Sequence, residues 1–344
     1  MNEFWERSKT YIKTENFRKI IKRIGFFFLG IVLLFFLSTT ILAVYFNNNK
    51  AKITTQINAE INENISGTIL INDVNYRFLK GFPNMTLVLS QVELKDSLWY
   101  KHKRTLLKAE QLEIRIDVLD LFLNEININK IEILNATLHL FQGKDGTVNT
   151  AIFRPKSKGN TSKSSTTSIV NEIILNRVHF ISENQMNTKL FDFANVDFNS
   201  TINFDNNDWY TTLYLKTLAR SLAFNTQRGS FVKNKIVEGV LKINFSKLKN
   251  QISVVTENLL IGKERFDINA NFSLNNKKSP FDIAIKTTIL WNNASALLSE
   301  NISKKLNQFD LKNPLNVRCT IIGDMNATGD PEIKVATRVQ EDLL

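Results

Sequence analysis

The sequence predicts a mainly β protein tethered by one N-terminal transmembrane helix, and three observations predict it. Residues 24–46 run for 23 positions without a charge. Isoleucines spaced four apart follow within residues 51–66. Beyond Gly67 the apolar positions recur at every second residue, the period of a sheet with one dry face and one wet face.

The uncharged run, IGFFFLGIVLLFFLSTTILAVYF, would be roughly 34 Å long as a helix, enough to cross the ~30 Å hydrocarbon core of a bilayer. It exceeds the ~7–15-residue apolar core of a cleaved signal peptide and ends in VYFNNN rather than small residues, so an uncleaved anchor is expected. Seven Lys or Arg against three Glu give residues 1–23 a charge of +4. Positive flanks stay cytoplasmic, which places the N-terminus inside and the bulk of the chain outside.

Residues 47–66 predict a short amphipathic helix carrying Ile53, Ile57, Ile61 and Ile65 on one face, with Gly67 at its end. That face either caps the β-core or lies at the bilayer interface. The period then changes to two. Leu112, Ile114, Ile116 and Val118 alternate with Glu113, Arg115 and Asp117, and Phe198, Ile202 and Phe204 oppose Asn199, Thr201 and Asn203. Leu241, Ile243 and Phe245 repeat the pattern, as do Phe266, Ile268, Ala270 and Phe272, then Phe281, Ile283, Ile285 and Ile289. About a dozen to fifteen strands are expected on this period. Phe82-Pro83-Asn84 separates two strands, and Lys144-Asp145-Gly146 predicts an Asp-Gly turn between two others. Helical interruptions are expected near 118–123 and over 294–309, and the polar stretch 156–168 reads as a loop or linker.

So many successive apolar stripes close either as two sheets face to face or as one sheet that curls. An open curled sheet would expose more contiguous apolar area than a soluble surface carries, and beside a membrane acyl chains are its fitting occupant. At ~4.8 Å per strand, about fourteen strands would make a groove of roughly 65 Å.

The remaining chemistry is sparse. The chain of 344 residues carries +11, of which +7 is spread thinly beyond residue 23. No Lys/Arg cluster is interleaved with exposed aromatics, so nucleic acid is not an expected partner. Cys319 stands alone, which excludes an intrachain disulfide and predicts a buried thiol. His102, His139 and His179 lack a second ligand at i+3 or i+4. P-loop, G-x-G-x-x-G and G-x-S-x-G motifs are missing, and the acid pairs Glu110/Glu113 and Asp192/Asp197 read as a solvated face. Neither catalysis nor a cofactor is expected.

One stretch carries a family pattern. Phe82-Pro83-Asn84 precedes a strand; Leu107, Ala109, Leu112, Ile114 and Ile116 lead into a short helical turn; Ile126, Ile128, Ile131 and Ile133 follow; Asp145, Gly146 and Asn149 close the series. In order and spacing this resembles the N-terminal region of AsmA-like proteins in their Bacteroidetes form, over about residues 20–155, and more loosely beyond. The resemblance implies a long β-groove, similar to bridge-like lipid-transfer proteins, anchored in the inner membrane and projecting into the periplasm. It also implies a part in phospholipid movement toward the outer membrane and in outer-membrane integrity. Family members are usually considerably longer, so a groove this short is not expected to span the periplasm alone.

The expected organisation is a basic segment (1–23), a transmembrane helix (24–46), the amphipathic helix (47–66) and a β module (67–155). A loop (156–168) and the rest of a long, curled, mostly antiparallel open groove (169–344) complete it. Groove candidates are Leu112, Ile114, Ile116, Ile126, Ile128, Leu138, Leu140, Phe198, Ile202, Leu241, Ile243, Phe266, Ile268 and Phe272. The expected partners are phospholipids, the inner membrane through residues 24–46, and other envelope proteins. The rival reading is a non-catalytic scaffold or assembly factor for outer-membrane proteins, with a closed core and a pairing edge strand.

Overall fold

A computed structural model describes residues 65–77, 84–117, 128–153, 170–275, 278–298 and 311–338 without interruption. It also describes Phe26–Gly30 and single residues at 23, scattered over 33–62, and at 300–304. The chain divides into two compact units, Met1–Ile53 and Thr54–Leu344.

In the first unit, Phe26–Gly30, Leu33, Phe36, Leu37, Thr40 and Val44 are helical, with exposed side chains. The Thr40 hydroxyl donates to the Phe36 carbonyl at 2.7 Å. Among the described residues no helix is long and apolar enough to cross a membrane. Most of the expected transmembrane run, and nearly all of the basic segment, lies outside them.

The second unit is one sheet of thirteen strands in chain order. They are β1 (Gly67–Arg77), β2 (Asn84–Asp96), β3 (Leu107–Asp117), β4 (Ile128–Gln142), β5 (Glu172–Asn184), β6 (Lys189–Asp205) and β7 (Asp208–Ala223). The series continues with β8 (Lys235–Ser246), β9 (Gln251–Ile261), β10 (Glu264–Ser273), β11 (Pro280–Ile289), β12 (Leu315–Asp324) and β13 (Glu332–Arg338). β1 and β13 do not pair, so the sheet is not closed. Among the described residues the strands form this one sheet, not two sheets packed face to face. All neighbours are antiparallel except β4 and β5. A parallel pair needs a long crossover, and residues 143–171 supply it.

That crossover corrects one expectation. The Asp145-Gly146 turn does not join two strands; it returns to a single bridge, Gln142 to Val148, and then to the 3-10 turn Asn149–Phe153. A helix covers Trp291–Leu297, overlapping the start of the expected 294–309, and Leu298 after it bridges to Val232; most of 299–309 lies outside the described residues. Glu300, Ser303 and Lys304 are helical again. The expected turn at 118–123, the loop 156–168 and Ile126 lie outside the described residues.

Strict alternation fails at one place in each early strand, and there it shapes the sheet. Asn72, Gln91, Glu110, Asn135 and Arg177 sit side by side across β1–β5, all exposed. Gln91, Asn135 and Arg177 hold left-handed backbone, with φ of 51°, 48° and 53°. Two consecutive residues then face outward, so the inward positions are three apart: Ile71 and Val74, Leu89 and Val92, Ala109 and Leu112, Ile133 and Ala136, Leu175 and Val178. An extra outward residue lengthens the convex side and bends the strand toward its apolar face. The outward row is tied across strands. Asn135 donates to Glu110 and Arg177 Nε donates to Asn135, both at 2.6 Å.

The edge of β1 is closed by side chains. Asn58 Nδ2 donates to the Ile71 carbonyl (3.1 Å) while its Oδ1 accepts from the Ile71 amide (3.0 Å). Asn62 does the same for Ile69, at 3.0 and 2.6 Å. Both residues are helical. A helical i, i+4 step rises ~6.0 Å and a strand i, i+2 step ~6.7 Å, so two carboxamides can stand in for a strand. The chain runs on into Gly67, where a Cβ would lie 2.3 Å from the Lys95 carbonyl oxygen. Replacing Asn58 and Asn62 by alanine is expected to destabilise the unit by about 2 kcal/mol and to expose the edge to self-pairing. Faster amide exchange at Ile69 and Ile71, and a larger species by size-exclusion chromatography, would show it.

Candidate functional site: the apolar face of the sheet

Cross-strand register places most apolar residues of the strands on one face, with Leu70, Val88, Val255 and Ile322 among those on the other. One row runs Ile243, Val254, Ala270, Ile283, Ile321 and Ile333. The described groove candidates all share this face: Leu112, Ile114, Ile116 and Ile128; Leu138 and Leu140; Phe198 and Ile202; Leu241 and Ile243; Phe266, Ile268 and Phe272. All are half-buried except Ile116, which is buried.

The face has a floor and walls. Buried side chains gather at the bend: Ile71, Val74, Leu89, Val92, Ala109, Ala136, Leu175, Val178 and Val196 form one cluster. Val178 is 0% exposed and Val92 1%. The half-buried candidates flank this cluster, and Ile65, Leu112, Ile114, Leu138 and Phe198 pack against it. Sequence reasoning found the walls and missed the floor. The signal was an apolar pair three apart, enclosing two polar residues in every bent strand but β4, where Leu134 is one of them.

The opposite face is a lattice of charges. Arg77 pairs with Glu113 (2.7 Å), Lys130 with Glu172 (3.2 Å) and His179 with Asp192 (2.7 Å). His139 meets Glu183 at 3.0 Å; burial lowers the imidazole's pKa, which the carboxylate partly opposes. The half-buried Trp99 ring has two ammonium groups near it, Lys95 at 4.8 Å and Lys103 at 4.4 Å. Among the described residues, no group of three or more His, Cys, Asp or Glu could hold a metal ion. Cys319 opens onto the apolar face, half-buried, and burial pushes its thiol pKa up.

The sheet curls onto itself in its second half. Strands six apart in a flat sheet would be ~29 Å apart. Yet Lys189, at the start of β6, donates to the Ala327 carbonyl in the β12–β13 turn, and Asn187 donates to the Met325 carbonyl at 3.5 Å. Arg228 pairs with Asp330 at 2.6 Å. Accumulated twist of ~20–25° per strand brings these opposite strand ends together. Burial lowers the Lys189 ammonium's pKa, opposed by Asp324. Phe224, 4% exposed, stacks on Phe281 at 5.5 Å and meets Phe191 edge-on at 5.4 Å. The apolar face is therefore bridged by aromatic rings along this stretch rather than bare throughout.

Comparison with curated proteins and with solved structures finds no match for the chain. The sequence model of the AsmA family matches residues 17–195, from just before the uncharged run to the first part of β6. That span is just over half of the chain and takes in the bent strands, the floor and the closing motif at Asn149, so the protein belongs to the AsmA family.

Proposed function

We propose that the chain is an inner-membrane-anchored, periplasmic β-trough that holds phospholipid acyl chains on its apolar face and helps move them between inner and outer membranes. The observation that carries this reading is one open sheet whose apolar residues, strand after strand, share a single concave face. Family membership and an open sheet of this size fit a lipid-transport or envelope-related role. Thirteen strands give a lining ~58 Å long, enough for several lipids in file. The action is non-catalytic. Apolar walls replace the hydrocarbon environment at ~0.8 kcal/mol for each methylene kept from water, and headgroups stay in solvent along the rim. Residues 24–46 would moor the trough beside its source of lipid. Of the two edges a scaffold could use for pairing, that of β1 is occupied by Asn58 and Asn62, and β13 forms the other.

Native mass spectrometry after gentle detergent extraction tests the proposal. Co-purified phospholipid is expected; a protein that emerges free of lipid would overturn it.

A further inference from the structure

We infer that the cavity between the β7–β8 connection and the helix Trp291–Leu297 binds the phosphate of an anionic phospholipid headgroup. The inference rests on the acyl-chain reading above and adds a lipid class to it. The cavity holds about 590 Å³ and is lined by three cations, Arg228, Lys233 and Lys235, against one carboxylate, Glu300. Arg228 is paired with Asp330. Among the described residues neither Lys233 nor Lys235 has an acidic partner within salt-bridge distance. The Lys235 stem lies over Gly262 beside Leu297.

The polarity of the chain reverses within three residues here. Phe231 joins the aromatic bridge, 5.9 Å from Phe224, and Val232 bridges to Leu298. Lys233 follows at once. A phospholipid has the same border, an anionic phosphodiester a few bonds from its first methylenes. Phosphate on the lysines and tails across Phe231 would therefore satisfy both sides.

The other strongly basic cavity, about 440 Å³ around Lys103, Arg104 and Lys108, does not have this property. There Arg104 is matched by Glu183, Lys108 by Glu93, and Lys103 lies over Trp99. Its charges are internally balanced, whereas those of the β7–β8 cavity are not.

The test compares the full chain with a Lys233→Gln/Lys235→Gln variant. Both are offered vesicles of phosphatidylcholine alone and of phosphatidylcholine mixed with phosphatidylglycerol, and the lipid taken up is identified. Each lysine near an anionic lipid surface is worth about 1 kcal/mol, close to fivefold, so both together predict a preference for phosphatidylglycerol of roughly 25-fold. The variant should lose that preference while taking up phosphatidylcholine as before. Uptake of lipid without preference, or a preference the variant retains, overturns the headgroup site and leaves the acyl-chain reading standing. A chain that takes up neither lipid overturns both. In a parallel arm, inorganic phosphate that abolishes the preference at millimolar concentration would assign the cavity to free phosphate instead.

Discussion

Aspartate in place of Ile243 or Ile268 is expected to lower phospholipid occupancy by at least about tenfold while the sheet still forms. Both side chains lie on the walls, half-buried rather than packed into the floor. Ile243 stands in line with Val254 and Ala270, and Ile268 with Ile285 and Cys319. Water reaches these positions when the trough is empty, so a carboxylate there is partly solvated and folding tolerates it. When a lipid tail lies across the site that solvent is gone, and burying an unpaired charge against hydrocarbon costs several kcal/mol. A tenfold loss needs only ~1.4 kcal/mol of this. Asn269→Asp, one residue away on the outward face, is the control and should leave occupancy unchanged. Lipid per protein by native mass spectrometry, with circular dichroism to confirm the fold, reads the outcome. Aspartate variants that carry as much lipid as the parent would show that these walls do not hold tails.

Asn149→Ala should give a large loss of stability, about 2–5 kcal/mol. Asn149 is 0% exposed. Its Nδ2 donates to the His139 carbonyl at 2.6 Å and its Oδ1 accepts from the Phe141 amide at 2.9 Å. β4 runs past the start of β3 here, so these two backbone groups have no strand beside them on that side, and the carboxamide takes its place. Alanine would leave both groups unpaired and loosen the turn that carries Ile152, itself 0% exposed and packed over Gly67. Asn149→Asp keeps the acceptor but sets a buried carboxylate oxygen against the His139 carbonyl, and should destabilise at least as much as alanine. The midpoint of urea unfolding measures the effect; an unchanged midpoint would mean that water replaces the side chain without loss.

Much of this architecture could be read from residue period. Alternation marked the strands and chose the apolar face correctly, because a side chain in a pleated strand has only two directions to take. The bend was present in the sequence but not recognised. Leu107-x-Ala109-x-x-Leu112 and Ile133-x-x-Ala136 each contain a spacing of three, which strict alternation treats as a fault and which in the structure marks the bend. The roles of Asn58, Asn62 and Asn149 could not be read at all. Each depends on a carboxamide meeting the backbone of another segment, and side-chain period holds no information about that. The closure at Lys189, Arg228 and Phe224 was hidden for a related reason. It arises from small twists summed over six strands, a property of the assembled sheet that no local window contains.

The order of the strands bears on how the molecule comes into being. Every strand lies beside its immediate predecessor in the chain, so none must wait for a later segment before it can pair. The first is already flanked by the residues made just before it, Asn58 and Asn62. Such a chain can form in step with its own synthesis, each newly made strand extending what stands already, and the β4–β5 crossover is the step at which a long loop must close in a parallel pair. At any moment a single growing margin is open to mistaken pairing. The ties between β6 and the β12–β13 turn can form only at the end, a final clasp on a structure otherwise built from one side.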